Sequence, residues 1–238
     1  MQQYFSEVEL RLGSDYVLTK EQAHHARDVM RMDGDKIRLV HEDRAFFASL
    51  RMDGGMVVAH IEEEDFRQTE ASLQLTLAMA LIRREKFELV LQKATELGVN
   101  RIIPFVSQHC VVQEKKEKAA RQMERWHQIL VEAARQCKRN KVPLISGIVP
   151  FTDLGEYCSM VNLACYENAG SMASLISDHI DGISSATVVV GPEGGFSFNE
   201  VEWLKEHGFA CVTLGPRILR AETAAIYACA IVAERGLQ

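Results

Sequence analysis

Two stretches near the end of the chain decide the reading of the fold: Thr187-Val188-Val189-Val190-Gly191-Pro192-Glu193-Gly194-Gly195-Phe196 and Val212-Thr213-Leu214-Gly215-Pro216-Arg217-Ile218-Leu219-Arg220-Ala221-Glu222-Thr223. Each sets an apolar, β-branched run before a glycine-containing turn, and each turn runs into a helical pattern. Both turns therefore belong at carboxyl ends of strands, the edge at which open α/β sheets bind ligands. Upstream, the same alternation begins at Leu73. Strands are expected over 73–81, 101–106, 143–148, 161–166, 186–190 and 210–214. Helices are expected over 84–97, where Gly98 stops the pattern, and over 117–138, 152–158, 172–179, 197–207 and 223–235. Strands separated by helices in this way predict an α/β fold with a mostly parallel sheet covered on both faces.

Ahead of this series the pattern changes. Residues 1–66 read as a small β-rich unit with one helix, opened by a T-x-x-Q capping box of Thr19 and Gln22 and running through His24-His25-Ala26-Arg27-Asp28-Val29-Met30 toward Gly34. Strands over 36–40, 44–52 and 56–62, separated by His41-Glu42-Asp43 and Asp53-Gly54-Gly55, suit a small barrel. The acidic stretch Glu62-Glu63-Glu64-Asp65 with Arg67-Gln68-Thr69-Glu70 reads as a linker, so residues 1–70 form one domain and 71–238 a second. A chain of 238 residues has room for such a pair.

Hydrophobic residues make up 47% and charged residues 25%, which excludes long disorder and collagen-like repeats. The amino terminus has no basic stretch followed by an apolar one, and no uncharged apolar run approaches a membrane span. The six cysteines form no Cys-x-x-Cys pair, and several fall inside apolar runs. The expectation is a cytoplasmic protein with reduced thiols and no membrane segment; no His/Cys spacing supports zinc or another metal. The net charge of −6 hides an asymmetry: residues 1–72 carry −6, residues 73–150 carry +7, and residues 151–238 carry −7. A positive middle third is the footprint of a polyanion-binding face, because phosphate attraction acts over a Debye length of about 8–10 Å rather than over the whole molecule. Solvated helices rich in lysine give the same count.

In the first turn, glycines 191, 194 and 195 remove Cβ atoms where a ligand approaches the backbone. Ser197 and Glu200 form an S-x-x-E capping box, which starts the next helix at once and turns its positive end toward the loop. Glu193 between the glycines repels phosphate and suits hydroxyls, an amine or a cation. Neither G-x-G-x-x-G nor G-x-x-x-x-G-K-[ST] follows a strand, which weighs against dinucleotide and P-loop readings. The second turn adds Arg217 and Arg220, then Glu222 and Thr223 at a helix start; capping by Thr223 with Arg–Glu pairing at the surface is the plain structural alternative.

GPEGGFS with Glu200, followed by LGPRILRAETA, resembles the signature of the bacterial ribosomal small-subunit methyltransferase E family. Lys86, Gln92-Lys93-Ala94-Thr95-Glu96-Leu97-Gly98-Val99 and Gln136-Cys137-Lys138-Arg139-Asn140-Lys141-Val142-Pro143 match it too, as does the stretch from His25 to Asp35, so the resemblance spans nearly the whole chain. It implies methyl transfer from S-adenosylmethionine to uracil N3 in 16S rRNA of the small ribosomal subunit. The implied fold is a PUA-like barrel joined to a SPOUT-type domain whose carboxyl-terminal strands and loops form a trefoil knot, an exception to the rule against threading. It also implies a homodimer with the cofactor near the subunit interface. By motif position, Gly191, Pro192, Glu193, Gly194 and Gly195 lie in one knot loop and Leu214, Gly215, Ile218 and Leu219 in the other, with their backbone around adenine and ribose and Thr223 beside them. Relatives commonly carry an arginine where this chain has Gln3, and smaller or acidic residues where it has Arg135 and Lys138.

Such a reaction must remove the N3 proton and stabilise negative charge spreading onto O2 and O4. Arg220 is the expected stabilising cation. Glu222 is expected to orient Arg220 or to act as base, with Glu193 the other carboxylate in reach. RNA contacts are expected from Arg83, Arg84, Lys86, Lys115, Lys116, Arg139 and Lys141, and from Arg27 and Arg31, four apart on one helix face. Gln92, Lys93 and Glu96 share another face and read as a surface or subunit contact. A non-catalytic RNA-binding assembly factor and a metabolite-binding α/β enzyme are the alternative classes.

Overall fold

In a computed structural model, residues 1–111, 119–167 and 174–236 are described. They divide into two units, Met1–Glu70 with Ala134–Lys141, and Ala71–Ala133 with Val142–Gln238. The first contains β1 (Gln2–Phe5), β2 (Asp15–Val17), α1 (Lys20–His24), β3 (Lys36–His41), β4 (Arg44–Asp53) and β5 (Met56–Asp65). Its sheet runs in the order β1-β3-β4-β5-β2, with β1 and β3 parallel and the other neighbours antiparallel. Alternate residues such as Ile37 and Leu39, Phe46 and Ala48, and Val57, Ala59 and Ile61 enter one core, as the two-residue period of a strand requires.

Three details differ from the sequence expectation. The strands β1 and β2, four and three residues long, carry too little pattern to be read. The acidic stretch assigned to a linker continues β5, where Ala45 pairs with Asp65 and Phe46 with Glu64. The predicted capping box is present, but α1 ends at His24 and passes into a π-helical turn over His25–Val29. Arg31 then adopts φ 54°. The i+5 spacing of the π turn and the left-handed residue that follows take Arg27 and Arg31 off any common helix face.

A buried network organises this unit. The Arg38 guanidinium, 0% exposed, donates to Asp65 Oδ2 at 2.7 Å, Gln3 Oε1 at 2.7 Å and Asn140 Oδ1 at 2.6 Å. Gln3 Nε2 donates to the Arg139 carbonyl at 2.7 Å, and Arg139 is itself buried against Glu70, 2.6 Å away. The segment 134–141, placed in the second domain from sequence, thus packs with the first unit through side chains that a local pattern does not reveal.

The second unit contains β6 (Gln74–Ala80), α2 (Arg84–Glu96), β7 (Arg101–Val106), α3 (Ala119–Cys137, shared with the first unit), β8 (Leu144–Ile145), β9 (Val149–Pro150), β10 (Val161–Cys165), β11 (Ser185–Val190), α4 (Phe198–Glu206), β12 (Ala210–Val212) and α5 (Ala221–Arg235). Every strand pair is parallel, in the order β12-β10-β11-β6-β7-β8, with β9 also on β7. Leu75, Leu77 and Met79 of β6 face a core shared with Phe87 and Leu91 of α2 and Ala225, Ala228 and Val232 of α5. Ala78 and Ala80 face the opposite core with Val201 and Leu204 of α4. Both faces are covered, the condition under which a parallel sheet is stable.

The strand expected over 143–148 is split into β8 and β9, and the helix over 152–158 is a 3-10 turn, Phe151–Tyr157. Of the helix expected over 172–179, the described residues hold a 3-10 turn, Ile176–Asp178. The helix α5 starts at Ala221 with Arg220 as its N-cap and no side-chain cap, so the Thr223 capping alternative does not hold. Among the described residues no helix is long and apolar enough to cross a membrane.

Removing one partner of a buried pair leaves the other charge uncompensated, so Arg38→Met is expected to destabilise the first unit by about 3–5 kcal/mol in urea unfolding. Hydrogen bonds from Arg67, and then from Arg38, hold the Asp65 carboxyl well below the usual carboxylate range. A carboxyl lowered in the folded state stabilises above its unfolded value of about 4 and loses that stabilisation as pH falls. The gap in urea midpoint between the native chain and Asp65→Asn should therefore narrow from about pH 6 to about pH 3.

Candidate functional site

Parallel register brings the carboxyl ends of three strands level. Cys165 at the end of β10 pairs with Val190 of β11 on one side and Val212 of β12 on the other. The chain leaves the sheet at all three places, and the loops enclose a cleft of about 270 Å³. Gly191, Pro192, Glu193 and Gly195 line it from the first expected turn; Leu214, Gly215, Ile218 and Leu219 line it from the second, with Arg217 and Arg220. The third loop, Cys165-Tyr166-Glu167, carries no motif. Its only signal in the sequence is that a strand ends there. Gly194, Glu222 and Thr223 are outside the lining, and Thr223 is exposed on the first turn of α5.

The glycines of the first turn also make room for the protein's own side chains. A Cβ on Gly194 would meet His109 Cβ at 2.9 Å, one on Gly195 would meet Glu167 Oε1 at 2.8 Å, and one on Gly191 would meet the Phe196 ring at 3.2 Å. His109 Nδ1 lies 3.1 Å from the Gly194 carbonyl and 3.2 Å from that of Gly195. The Glu200 carboxylate is buried and accepts from Ser197 N and Gln108 N, each at 2.8 Å. One side chain therefore caps α4 and ties the turn after β7 to the glycine turn. Gly215 differs: it has φ 108° and open space where a Cβ would stand, so its backbone conformation is what requires glycine.

Charge in the site is arranged differently from the expected Arg220–Glu222 pair. Lys86 Nζ, on the first turn of α2, lies 3.3 Å from Glu222 Oε1 and 3.8 Å from Glu193 Oε1. The other oxygen of Glu222 is buried without a hydrogen-bond partner among the described residues. Arg217 and Arg220 are exposed, and among the described residues neither side chain has an ion pair. Burial pushes the Cys165 thiol up to about 12, so this wall of the cleft presents a neutral thiol.

The expected RNA contacts do not form one group. Arg139 is 3% exposed and bound to Glu70, which removes it from any RNA surface. Lys86 is engaged at the cleft. Arg27 pairs with Asp28, Arg84 with Glu88, and Lys141 with Asp43, all at the surface, while Arg31 and Arg83 are exposed. Lys115 and Lys116 lie outside the described residues. Arg135 stands over the Tyr4 ring, and Lys138 donates to the carbonyls of Met1 and Arg135, so the two cations that depart from relatives have local partners. Gln3 is likewise buried in the Arg38 network. Gln92 is exposed, and Lys93 is bound to Glu96 at 2.9 Å. Among the described residues no group of three His, Cys, Asp or Glu is placed to hold a metal ion.

The model of the RNA methyltransferase domain family matches residues 69–233, a segment that contains the whole cleft. The ribosomal RNA small subunit methyltransferase E of Bacillus subtilis is 34% identical, with 96% of this chain and 94% of that protein covered. The chain belongs to the ribosomal RNA small subunit methyltransferase E family. The family member from Neisseria gonorrhoeae, solved bound to S-adenosyl methionine, is 30% identical with a TM-score of 0.88 over 97% of this chain and 96% of that one. A putative methyltransferase from Legionella pneumophila, solved with the cofactor bound, is 31% identical with a TM-score of 0.87 over 97% of this chain and 96% of that one.

Because His109 Cβ occupies the space beside Gly194, Gly194→Ala is expected to destabilise by about 1–3 kcal/mol through overpacking. Gly155→Ala, where the nearest atom stands at 3.6 Å, serves as the control in the same thermal melts.

Proposed function

We propose that the chain transfers the methyl group of S-adenosylmethionine to N3 of a uridine in 16S rRNA of the small ribosomal subunit. The observation that carries this reading is the cleft itself: two glycine turns and a third loop rise from one edge of a parallel sheet, with two exposed arginines that have no ion pair among the described residues. The residues present fit the donor. Open space beside Gly215 admits a ligand to the backbone, Leu214, Ile218 and Leu219 offer apolar surface, and the Glu193 carboxylate on the wall suits a cation or hydroxyls. The donor supplies an electrophilic methyl on positively charged sulfur. In this reading the backbone of 191–195 and 214–219 holds adenine and ribose.

The electron pair of N3 that takes the methyl is the one of its N–H bond, so the proton must leave before or during the attack. Glu222 and Glu193 are the carboxylates at hand, and Arg220 stabilises the charge on O2 and O4. Arg27, Arg31, Arg83, Arg84 and Lys141 remain as surface cations for RNA phosphates.

The finer fold assignment belongs to the same proposal: a PUA-like domain over 1–70 and a SPOUT domain with a trefoil knot over 71–238. Support for the knot comes from the path of the last strands. The chain passes from β11 beyond β10 to β12, while Leu175, ahead of β11, bridges Thr213 after β12. Homodimerisation is supported by Leu175, Ile218 and Tyr227, apolar side chains exposed on this part of the fold. The cytoplasm, where ribosomes are assembled, is the proposed location.

Titration calorimetry with S-adenosylmethionine and mapping of modified nucleotides in rRNA from cells with and without the gene test the proposal. Donor binding and loss of one N3-methyluridine are expected; no donor binding would leave a non-catalytic RNA-binding factor. Arg220→Ala is expected to lower methyl transfer by more than about tenfold, over about 1.4 kcal/mol, with donor affinity kept. Unchanged turnover rejects the role of Arg220.

A further inference from the structure

Lys86 stands out among the cations of the second unit. It occupies the first turn of α2, where the positive end of the helix disfavours a cation. Neighbouring Arg84 compensates with Glu88 on the next turn of the same helix and keeps 67% of its side chain in solvent. Lys86 instead spends its ammonium on carboxylates from two other elements, Glu193 in the turn after β11 and Glu222 at the start of α5, and its side chain is only 27% exposed. A cation offered to RNA phosphate stays in solvent, as Arg84 does, rather than turning inward to two carboxylates of other elements.

Both partners matter to the cleft. Glu193 is on its wall, and Glu222 is two residues after Arg220, the N-cap of α5. Glu222 is 9% exposed, with Oε1 toward Lys86 and Oε2 buried without a partner among the described residues. Without Lys86 a carboxylate so placed would have no compensating charge and would turn toward solvent, carrying the first turn of α5 with it. Arg220, which makes no side-chain cap hydrogen bond among the described residues, takes its position from that turn.

We infer that Lys86 is a positioning residue that ties the two cleft turns together through Glu193 and Glu222 and thereby sets Arg220 for methyl transfer. The inference rests on the proposed function and deepens it, and it moves Lys86 from the RNA surface to the reaction site. No group is transferred to or from Lys86.

The experiment compares Lys86→Met, Lys86→Arg, Glu222→Gln and the double variant Lys86→Met/Glu222→Gln. For Lys86→Met, kcat is expected to fall at least about tenfold, with KM for RNA and Kd for S-adenosylmethionine within about threefold of the native chain. The salt dependence of RNA binding should keep its slope, and Lys86→Arg should recover at least about a third of the lost rate. Without any ligand, Lys86→Met should lower Tm, and adding Glu222→Gln should restore part of the loss, because the two side chains form one unit. A phosphate contact would instead raise KM, leave kcat alone and reduce the salt slope by about one. That result, or Tm losses that simply add, overturns the inference. So does a Lys86→Arg variant no better than Lys86→Met. Failure of the native chain to bind S-adenosylmethionine overturns the functional reading itself, whereas a fully active Lys86→Met overturns only the role of Lys86.

Discussion

The site depends on the register of three parallel strands. Cys165, Val190 and Val212 stand side by side because β10 pairs with β11 and β12 without a shift, so three loops leave the sheet at one level. Parallel pairing makes this possible: crossover connections return every strand to the same end, and all carboxyl ends face one side. A shift of one residue in β12 would turn its side chains to the opposite face and carry the 213–220 loop away from the glycine turn.

What holds the loops at that edge is a set of buried polar contacts rather than apolar packing alone. Glu200 satisfies two backbone amides from different loops. Lys86 faces two carboxylates from different elements. In both cases a single charged side chain joins segments far apart in sequence, and leaving the buried carboxylates unpaired is costly in a low-dielectric interior. The first unit uses the same device. Arg38 gathers Gln3, Asp65 and Asn140, drawing residues from the start of the chain and from beyond α3 into one unit. Family membership and this geometry meet at the cleft, which lies inside the segment that the RNA methyltransferase domain model matches.

Arginines and lysines were the least legible part of the sequence. The positive middle third counted Lys86, Arg135, Lys138 and Arg139 as one surface, yet the fold sends them to four different tasks: a cleft ion pair, an aromatic ring, backbone carbonyls and a buried pair with Glu70. A count of charge carries no information about partners, because a long cationic side chain reaches whatever acid the tertiary structure brings near. The glycines of the first turn have a second role that local sequence does not show. Their bare Cα atoms admit Phe196, His109 and Glu167, two of which lie far away in the chain.

The sequence by itself determined the alternation of strands and helices from Leu73 onward, the two capping boxes, and the position of two turns at strand ends. These follow from periodicity and from contacts within a few residues, both of which are written locally. Tertiary structure alone decided which strands are neighbours, that a third loop closes the cleft, that Glu222 faces Lys86 and not Arg220, and that 134–141 joins the first unit. Each of these depends on pairings between residues distant in the chain, and no local pattern encodes which distant partner a buried charge or a sheet edge will meet.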